Sequence, residues 1–434
     1  MSKRRRKQIV ERIKSLLIVL LSCSAVYLVV LTQSIAVPSG LLSRPSTGGG
    51  GLAVADPAET ARPLRMAAVI PAGGNEVQRF GVQYSEADTA DLFQQAYTIL
   101  VEALSSANQL KEVTEAEWRQ ALSAAPGLYF DWQGEVPLEV LDGWLSVENP
   151  MLTGSVRRMV LAAREGFLCY FDEMAGGYYA CASDVVSASR LEEVVETLRD
   201  NGARFAFETE EYSGLEPCTL VLGEPLSPAV YASVDPLGGS QSLSGLQEAL
   251  GFPESSASFS GAGEQVIRSR NDTLRIGADG TVTYEPAAEG SDRYLLSGGG
   301  VYEAVEGCRD LAQQAVDAVG GEERLFLMSA RETGQGGWEI QFGYSLDGVQ
   351  VRLGEDGWAA RFTVEQGQIT GFQLRMRCYT DTGTTTVVLP ERQAMAAMEA
   401  KGHENEELLL VYLDTGAEMV TASWAAASEL SGRG

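Results

Sequence analysis

The chain opens with a basic tail that is followed by a long apolar run. Seven cations lie within the first 14 residues, against one anion, and no charged residue then occurs from Ser15 to Ser43. As an α-helix with a rise of about 1.5 Å per residue, the stretch Leu16 to Val37 would span roughly 33 Å, which matches a hydrocarbon core of about 30 Å. Signal-peptide cores are shorter, at about 7–15 residues. The sequence therefore predicts a retained transmembrane anchor over Leu16 to Val37.

The charge asymmetry predicts the orientation of this anchor. Cytoplasmic flanks of membrane helices are rich in Lys and Arg, so residues 1–14 are expected in the cytoplasm, 15–37 in the membrane and the remainder outside the cell. The expected location is thus the cell membrane, with a single pass. Cleavage remains an alternative, because Ser34–Ala36 and Ala53–Ala55 have the small-x-small pattern of a processing site. A third alternative is lipidation, since the residues that end at Cys23 loosely resemble a lipoprotein box.

Small residues inside the run are candidates for helix–helix contact. Ser22, Ser24 and Ala25 would let the backbone of a neighbouring membrane helix approach closely. The alternative is an ordinary anchor whose serines bond to their own backbone carbonyls.

Charge limits the classes of partner. The chain has 33 basic and 59 acidic residues, and without its first 14 residues the net charge is −32. Such a surface repels nucleic acid, so we expect no nucleic-acid partner. The hydrophobic content of 45% favours a folded exported part. A region of this length exceeds one ordinary core, which predicts two or three domains.

Composition shifts suggest where those domains begin. Residues 38–63 are rich in Gly, Pro and Ser and predict a linker. We place an N-terminal domain at 64–187, a central domain at 188–297 and a C-terminal domain at 298–434.

Local signals predict helices and hairpins in each domain. Capping patterns occur at Ser85/Asp88, Thr114/Glu117, Ser189/Glu192 and Ser244/Gln247, each before apolar residues at helical spacing. A further helix is predicted from about Tyr302 to Val319, and the last one begins with Pro390 and stops near Gly402. Turn dipeptides predict hairpins at Gly176-Gly177, Asp279-Gly280, Asp347-Gly348, Asp356-Gly357, Gln366-Gly367, Thr382-Gly383 and Thr415-Gly416. The stretches "RFAFETEEY" and "CTLVLGE" read as strands. Helices followed by antiparallel meanders indicate an α+β architecture, with helices packed on antiparallel sheets.

The sequence contains no motif that requires a reaction. G-x-S-x-G, a Walker loop, a dinucleotide fingerprint and H-E-x-x-H are all missing, so we predict no catalytic, cofactor-binding or metal-binding residues and no cofactor. Carboxylates at Asp172 and Glu173 leave a glycoside hydrolase open as an alternative, as do Glu208, Glu210 and Glu211. The single histidine, His403, is expected to be solvated in a polar loop. The sequon at Asn271–Thr273 is expected to be incidental.

Cysteine usage argues against a disulfide framework or a zinc ribbon. Five cysteines follow the membrane run at wide spacing, and no C-x-x-C occurs. Buried thiols are the expected state, although Cys169 and Cys181 could pair across the predicted hairpin.

The order of these features resembles a known family. The stretches "GLYFDWQGEVPLEVLDGWL", "YSGLEPCTLVLGEPLSPAVYASVDP", "TLRIGADGTVTYEP" and "LLLVYLDTGAEMVTASW" are similar to the YycH/YycI-type regulators of the WalK (YycG) sensor kinase of Gram-positive bacteria, and more to the YycH type. The stretch "FGYSLDGVQVRLGEDGWAARFTVEQGQITGFQ" is also similar to PepSY-type domains. The Gly-rich linker and the strongly acidic exported part depart from the family pattern.

The resemblance implies a function without catalysis. Regulators of this type contact the sensor histidine kinase of a two-component system, within the bilayer and outside it, and also contact a paralogous YycI-like regulator. They thereby tune signalling over cell-wall metabolism. The leading hypothesis is accordingly a membrane-anchored regulator. The alternatives are a PepSY-like extracellular binding or inhibitor protein and a cell-surface glycan hydrolase.

Overall fold

A computed structural model describes residues 57–430, apart from 73–77, 165, 239, 254, 262, 271, 288–290, 322 and 335. The predicted anchor with Ser22, Ser24 and Ala25, and Asn271 of the sequon, lie outside these residues. Among the described residues, no helix combines the length and the apolar character needed to cross a membrane. Residues Ala55–Gly434 form one compact unit.

Within the described ranges the helices are α1 Pro57–Ala61, α2 Glu86–Ser106, α3 Glu115–Ser123, α4 Leu138–Leu145, α5 Ala188–Val195, α6 Ser240–Ala249, α7 Val301–Ala318, α8 Glu391–Lys401 and α9 Ala427–Leu430. The strands are β1 Arg65–Ile70, β2 Gln78–Val82, β3 Asn108–Val113, β4 Gly127–Pro137, β5 Ser155–Ala162, β6 Phe167–Asp172, β7 Gly177–Ala182, β8 Arg204–Phe205, β9 Leu220–Val221, β10 Ala229–Val234, β11 Ala257–Gly261, β12 Glu264–Ser269, β13 Asp272–Gly277, β14 Thr281–Glu285, β15 Arg324–Thr333, β16 Gly337–Leu346, β17 Val349–Leu353, β18 Ala360–Glu365, β19 Gln368–Arg375, β20 Cys378–Thr385, β21 Leu408–Asp414, β22 Met419–Val420 and β23 Ala422–Ala426. The mixture confirms the predicted α+β class.

Seven strands form an antiparallel first sheet in the order β2-β1-β4-β5-β6-β7-β3. Helix α2 packs on one face, where Leu92 and Phe93 join Phe130 in the main core. Helix α3 packs on the opposite face, where Trp118 joins Tyr129. The first sheet is therefore buried on both faces.

The second sheet runs β11-β12-β13-β14-β19-β18-β16, and β15 lies on the far edge of β16. Strand β17 pairs with the end of β16 and continues the sheet to β21 and β23. The two sheets meet where Glu135 of β4 pairs in parallel with Ser329 of β15. Helix α7 covers one face, so its Val305 and Leu311 share the main core with Phe362.

Several local predictions are confirmed. The backbone N–H of Asp88 donates to Ser85 Oγ at the start of α2, and Thr114 forms the full capping box with Glu117 at α3. Helices α7 and α8 lie where their periodicity predicted them, and Gly402 ends α8 with a φ of 94°. The hairpin of β13 and β14 turns at Asp279-Gly280, as predicted.

Five local predictions were wrong because contacts from elsewhere override short-range signals. Helix α5 starts after Ser187, so Ser189 lies inside it, and α6 starts at Ser240, so Ser244 is also internal. The expected strand "RFAFETEEY" ends at Phe205 and continues as two 3-10 turns. Strand β9 has two residues rather than the length of "CTLVLGE". The dipeptide Thr382-Gly383 lies inside β20, which pairs with β10 through an irregular register.

Secondary structure and strand pairing also occur across the predicted segment boundaries. Helix α1 occupies residues 57–61 of the predicted linker, and Trp132 Nε1 donates to the carbonyl of Ala61 at 2.8 Å. Strand β14 of the predicted central domain pairs with β19 of the predicted C-terminal domain. The division into three domains stays a prediction.

Candidate interaction surface and buried ionic cluster

The first sheet contains a buried group of charges, which we call the arginine cluster: Arg65, Asp131, Arg157, Arg158 and Glu407. The β ladder brings most of it together, because Arg65 of β1 and Arg158 of β5 both stand opposite Asp131 of β4. Glu407 arrives from the residue before β21, more than 200 positions further along the chain. The cluster thus joins the first sheet to the last part of the fold.

Contact distances show how the charges compensate. One carboxylate oxygen of Glu407 accepts a hydrogen bond from Arg65 at 2.8 Å, and the other accepts one from Arg158 at 2.8 Å and one from Arg157. Asp131 lies 3.5 Å from Arg65 and from Arg157. At the rim, Arg158 also lies 3.3 Å from Glu216, and Arg157 lies 3.5 Å from Glu173.

Burial makes these contacts strong. The side chains of Arg65, Asp131 and Glu407 are 1%, 1% and 4% exposed. Burial alone would raise the pKa of Glu407, but the charges of Arg157, Arg158 and Arg65 outweigh it and hold that pKa well below its ordinary value. Burial alone would likewise lower the pKa of Arg65, and its carboxylate neighbours raise it instead. Glu407 and Arg65 therefore stay charged, and their ion pair stabilises the buried interior.

Sequence analysis missed this cluster, although one signal was present. Arg157 and Arg158 are adjacent in the strand "SVRRMVLA", and all the remaining residues of this strand are buried. A charged side chain in a buried strand needs a compensating partner, so two consecutive arginines in an apolar strand indicate buried carboxylates nearby. That signal gives no information about which distant carboxylates supply the partners.

The second sheet presents a polar surface opposite α7, which we call the open face. It is formed by alternate residues of successive strands, namely Phe259, Arg268, Arg275, Thr283, Glu285, Gln373, Arg361 and Glu339. The ion pair between Arg361 and Glu339 measures 2.6 Å and is partly exposed. The open face thus carries charges of both signs, which can complement charges on a protein partner.

The carboxylates of the hydrolase alternative have structural roles. Asp172 is buried and accepts the backbone N–H groups of Met174 and Ala175 at 2.9 and 3.0 Å, which closes the hairpin between β6 and β7. Glu208 accepts from Arg79 at 2.9 Å and from the backbone N–H of Phe205 at 2.8 Å.

Two more of these carboxylates lie beside arginines. Glu173 belongs to the rim of the arginine cluster, and Glu211 is paired with Arg392 at 3.1 Å on the surface. Glu210 lies at the start of the second 3-10 turn, next to Glu211.

His403 is less solvated than predicted. Its Nδ1 lies 3.1 Å from Glu406 and 3.3 Å from Ser428 Oγ, and its Nε2 lies 3.6 Å from Glu429. The ring links the loop after α8 to α9. Ser428 and Glu406 both lie at Nδ1 of His403. In a Ser-His-Asp triad the serine contacts Nε2 and the carboxylate contacts Nδ1, so this is not the arrangement of a catalytic triad.

Among the described cysteines, Cys169, Cys181, Cys218 and Cys308 are buried thiols, as expected, and Cys378 is a partly buried thiol. Cys169 stands opposite Ala180, whereas Cys181 stands opposite Leu168, so the two side chains point to different faces of the first sheet and do not pair. Burial raises the pKa of Cys169 to about 12 and that of Cys181 to about 11. Neither thiol is placed for reactivity.

No group of three or more His, Cys, Asp or Glu side chains in the described ranges is arranged to hold a metal ion. An open groove of about 610 Å³ runs along α5 and is lined by acidic side chains, among them Glu192, Glu193, Glu196 and Asp200. These carboxylates face solvent, and the groove resembles an acidic surface more than a binding pocket.

Comparison with known proteins finds a likeness in fold. No family model matches the chain, and no curated protein matches it in sequence. Among solved structures, the crystal structure of YycH from Bacillus subtilis is similar, with a TM-score of 0.53 and 11% identity. The match covers 85% of this chain and 94% of that one. The chain therefore has a YycH-like fold.

Proposed function

We propose that this chain is an accessory protein that regulates a two-component sensor histidine kinase through contacts and without catalysis. The observation that carries the proposal is the YycH-like fold, which extends over most of the chain. The four sequence stretches that resemble YycH/YycI-type regulators support the same function.

The distribution of polar groups supports a contact function. The charges of the arginine cluster pair with one another and have little exposed surface. The open face is a polar surface that spans several strands and carries charges of both signs, which can match complementary charges on a partner. We infer that the kinase contacts this face outside the membrane and the segment Leu16 to Val37 within it, and that a paralogous YycI-like regulator takes part.

Co-purification tests the partner. The intact chain, cross-linked in membranes and then purified, is expected to bring down a sensor histidine kinase as the main specific protein. A matched variant that carries Arg361→Glu and Gln373→Glu on the open face should fold normally and recover several-fold less kinase. Recovery of a peptidase or a wall polymer in place of a kinase would contradict the proposal.

A second experiment tests the anchor. The segment Leu16 to Val37 is replaced by an unrelated apolar helix of equal length, which preserves export. We expect kinase control to be lost, because helix contact depends on the specific packing surface. A narrower variant changes only the candidate contact residues Ser22, Ser24 and Ala25 to leucine and should also weaken kinase control. Normal kinase regulation by the fully replaced segment would show that the anchor is a simple tether.

A further inference from the structure

Strand β11 is an unprotected edge of the second sheet. It pairs with β12, and it pairs with no other strand in the described part of the chain. All five of its residues are exposed, and Phe259 at its centre is 60% exposed. An antiparallel ladder alternates, so every second residue of β11 directs its N–H and C=O away from β12.

Other edges of the two long sheets are protected. The edge of β2 is covered by Asn201, whose side chain bonds to the N–H and C=O of Gly81 at 3.0 and 2.7 Å. Strand β3 carries Lys111 and an irregular register. Strand β23 is capped by Glu429, which accepts the N–H of Ala426 at 2.9 Å.

The chemistry of β11 differs from all of these. Its sequence "ASFSG" has no charge, no proline and no bulge, although the whole chain has a net charge of −26. Natural proteins normally protect such an edge, because it is a template for strand addition. An uncharged strand is also the place where two strongly acidic molecules can meet with the least repulsion.

We propose that two copies of this chain pair through β11, in antiparallel register about a twofold axis at Phe259. This register sets Ala257 of one copy opposite Gly261 of the other and Phe259 opposite its own counterpart. About four to six backbone hydrogen bonds would then join the sheets into one continuous sheet.

Charge complementarity at the ends of the strand favours a second copy as the occupant. Arg268 stands opposite Ala257 and Glu264 stands opposite Gly261. In the paired arrangement, Arg268 of one copy therefore falls in the same row, and on the same face, as Glu264 of the second copy. Arg268 is exposed and makes no ion pair with any described residue. Three strand spacings, about 14 Å, separate its Cα atom from that of Glu264 in the second copy, so the two charges attract each other at long range across Ala257 and Gly261 without direct contact.

Cysteine cross-linking tests the register in the full-length chain. With Phe259→Cys, the two new thiols would face each other across the axis at about 4.5–5.5 Å between Cβ atoms, within reach of a disulfide. We expect disulfide-linked dimers that are several-fold more abundant than in the wild-type chain or in Leu295→Cys, whose site is 66% exposed. Equal yields from Phe259→Cys and Leu295→Cys would overturn the proposal, as would a cross-link to a different protein.

Sedimentation of the full-length chain in detergent tests the energetics. Phe259→Lys places two like charges at the axis and should raise the dimer dissociation constant at least tenfold, whereas Leu295→Lys should leave it unchanged. Arg268→Glu should raise it about two- to fivefold at low salt, with a smaller effect at high salt. If Phe259→Lys and Leu295→Lys dimerise equally, β11 is not the interface.

Discussion

The two long sheets of this molecule differ in how many of their faces are buried. In β5 of the first sheet, seven of eight residues are buried, whereas in β18 of the second sheet buried and more exposed residues alternate. The first sheet lies between α2 and α3, and the second has α7 on one face and solvent on the other.

This difference determines what each sheet can do. A sheet covered on both faces must neutralise any charge it contains, and the arginine cluster does so with Asp131 and Glu407. A sheet with one free face can present charges to water and to partners at little cost in stability. The charges of the first sheet therefore stabilise the fold, whereas those of the second sheet are exposed and can contact a partner.

The largest expected effect comes from breaking the arginine cluster. Glu407→Ala leaves Arg65, Arg157 and Arg158 buried with Asp131 as the remaining carboxylate at the centre of the cluster. Removal of one member of a buried ion pair costs about 3–5 kcal/mol. We expect the free energy of unfolding, measured by urea denaturation, to fall by that amount. The far-UV circular dichroism spectrum at low urea should stay that of the wild-type chain, which shows that the variant still folds. A loss below about 1 kcal/mol would show that the ion pairs of Glu407 do not stabilise the fold.

Paired substitutions on neighbouring residues sharpen the contrast between the sheets. Val160 and Leu161 of β5 face different sides of the first sheet and are 2% and 0% exposed, so Val160→Ala and Leu161→Ala should each cost about 2–4 kcal/mol. On β18, Phe362→Ala should cost about 3–5 kcal/mol. Its neighbour Arg361→Ala lies on the open face and should cost less than about 1 kcal/mol. A free energy of unfolding that falls equally for Arg361→Ala and Phe362→Ala would refute the open face.

A smaller effect is expected where the sheets adjoin. Helix α4 packs against β4 of the first sheet and against α7, which covers the second sheet. Its residue Asp142 is 6% exposed, and one of the carboxylate oxygens lacks a hydrogen-bond partner among the described residues. Burial raises the pKa of Asp142 from 3.8 to about 7. Between about pH 4 and pH 7 the folded chain holds a proton that the unfolded chain has released, so the contribution of Asp142 to stability falls as pH rises through this window.

Asp142→Asn tests this titration. It should raise the free energy of unfolding at pH 8 by about 1–3 kcal/mol, because an amide replaces a buried charge, and it should have little effect at pH 4.5. Urea denaturation at the two pH values measures the difference. Equal stabilisation at both would mean that Asp142 does not titrate in this range.

The smallest effect belongs to the open face itself. Glu339→Ala removes the exposed ion pair with Arg361 and should cost about 0.2–1 kcal/mol, a loss that shrinks as salt is added. It also serves as the control for Glu407→Ala, since both remove a glutamate that contacts arginine. A salt-independent loss of several kcal/mol would place Glu339 in a buried environment.

Several sequence signals that span only a few residues were correct for this chain. The caps at Ser85 and Thr114, the helix over Val301–Ala318 and the turn at Asp279-Gly280 all depend on neighbours within one helical turn or one hairpin. The α+β class followed from the same signals. The membrane anchor is another local signal, and it stays a prediction.

Contacts between residues far apart in the chain determine the features that these local signals did not predict. The sequence around residue 208 favoured a strand, but Glu208 pairs with buried Arg79 and caps the N–H of Phe205, which bends the chain into 3-10 turns. His403 looked like a solvated residue until α9 brought Glu429 and Ser428 to its ring. Arg79, Ser428 and Glu429 all lie too far along the chain to belong to a local pattern around these residues.

By itself, the sequence determined the class of fold, most of its helices and hairpins, and the acidic character of the chain, because these depend on propensity, periodicity and composition. Only the tertiary structure decided that Arg65 bonds to Glu407 across 342 positions, that Cys169 and Cys181 lie on opposite faces, and that β11 is left as a bare edge. Burial and strand pairing join residues that are far apart in the chain, and a short-range pattern contains no information about which distant residue will arrive.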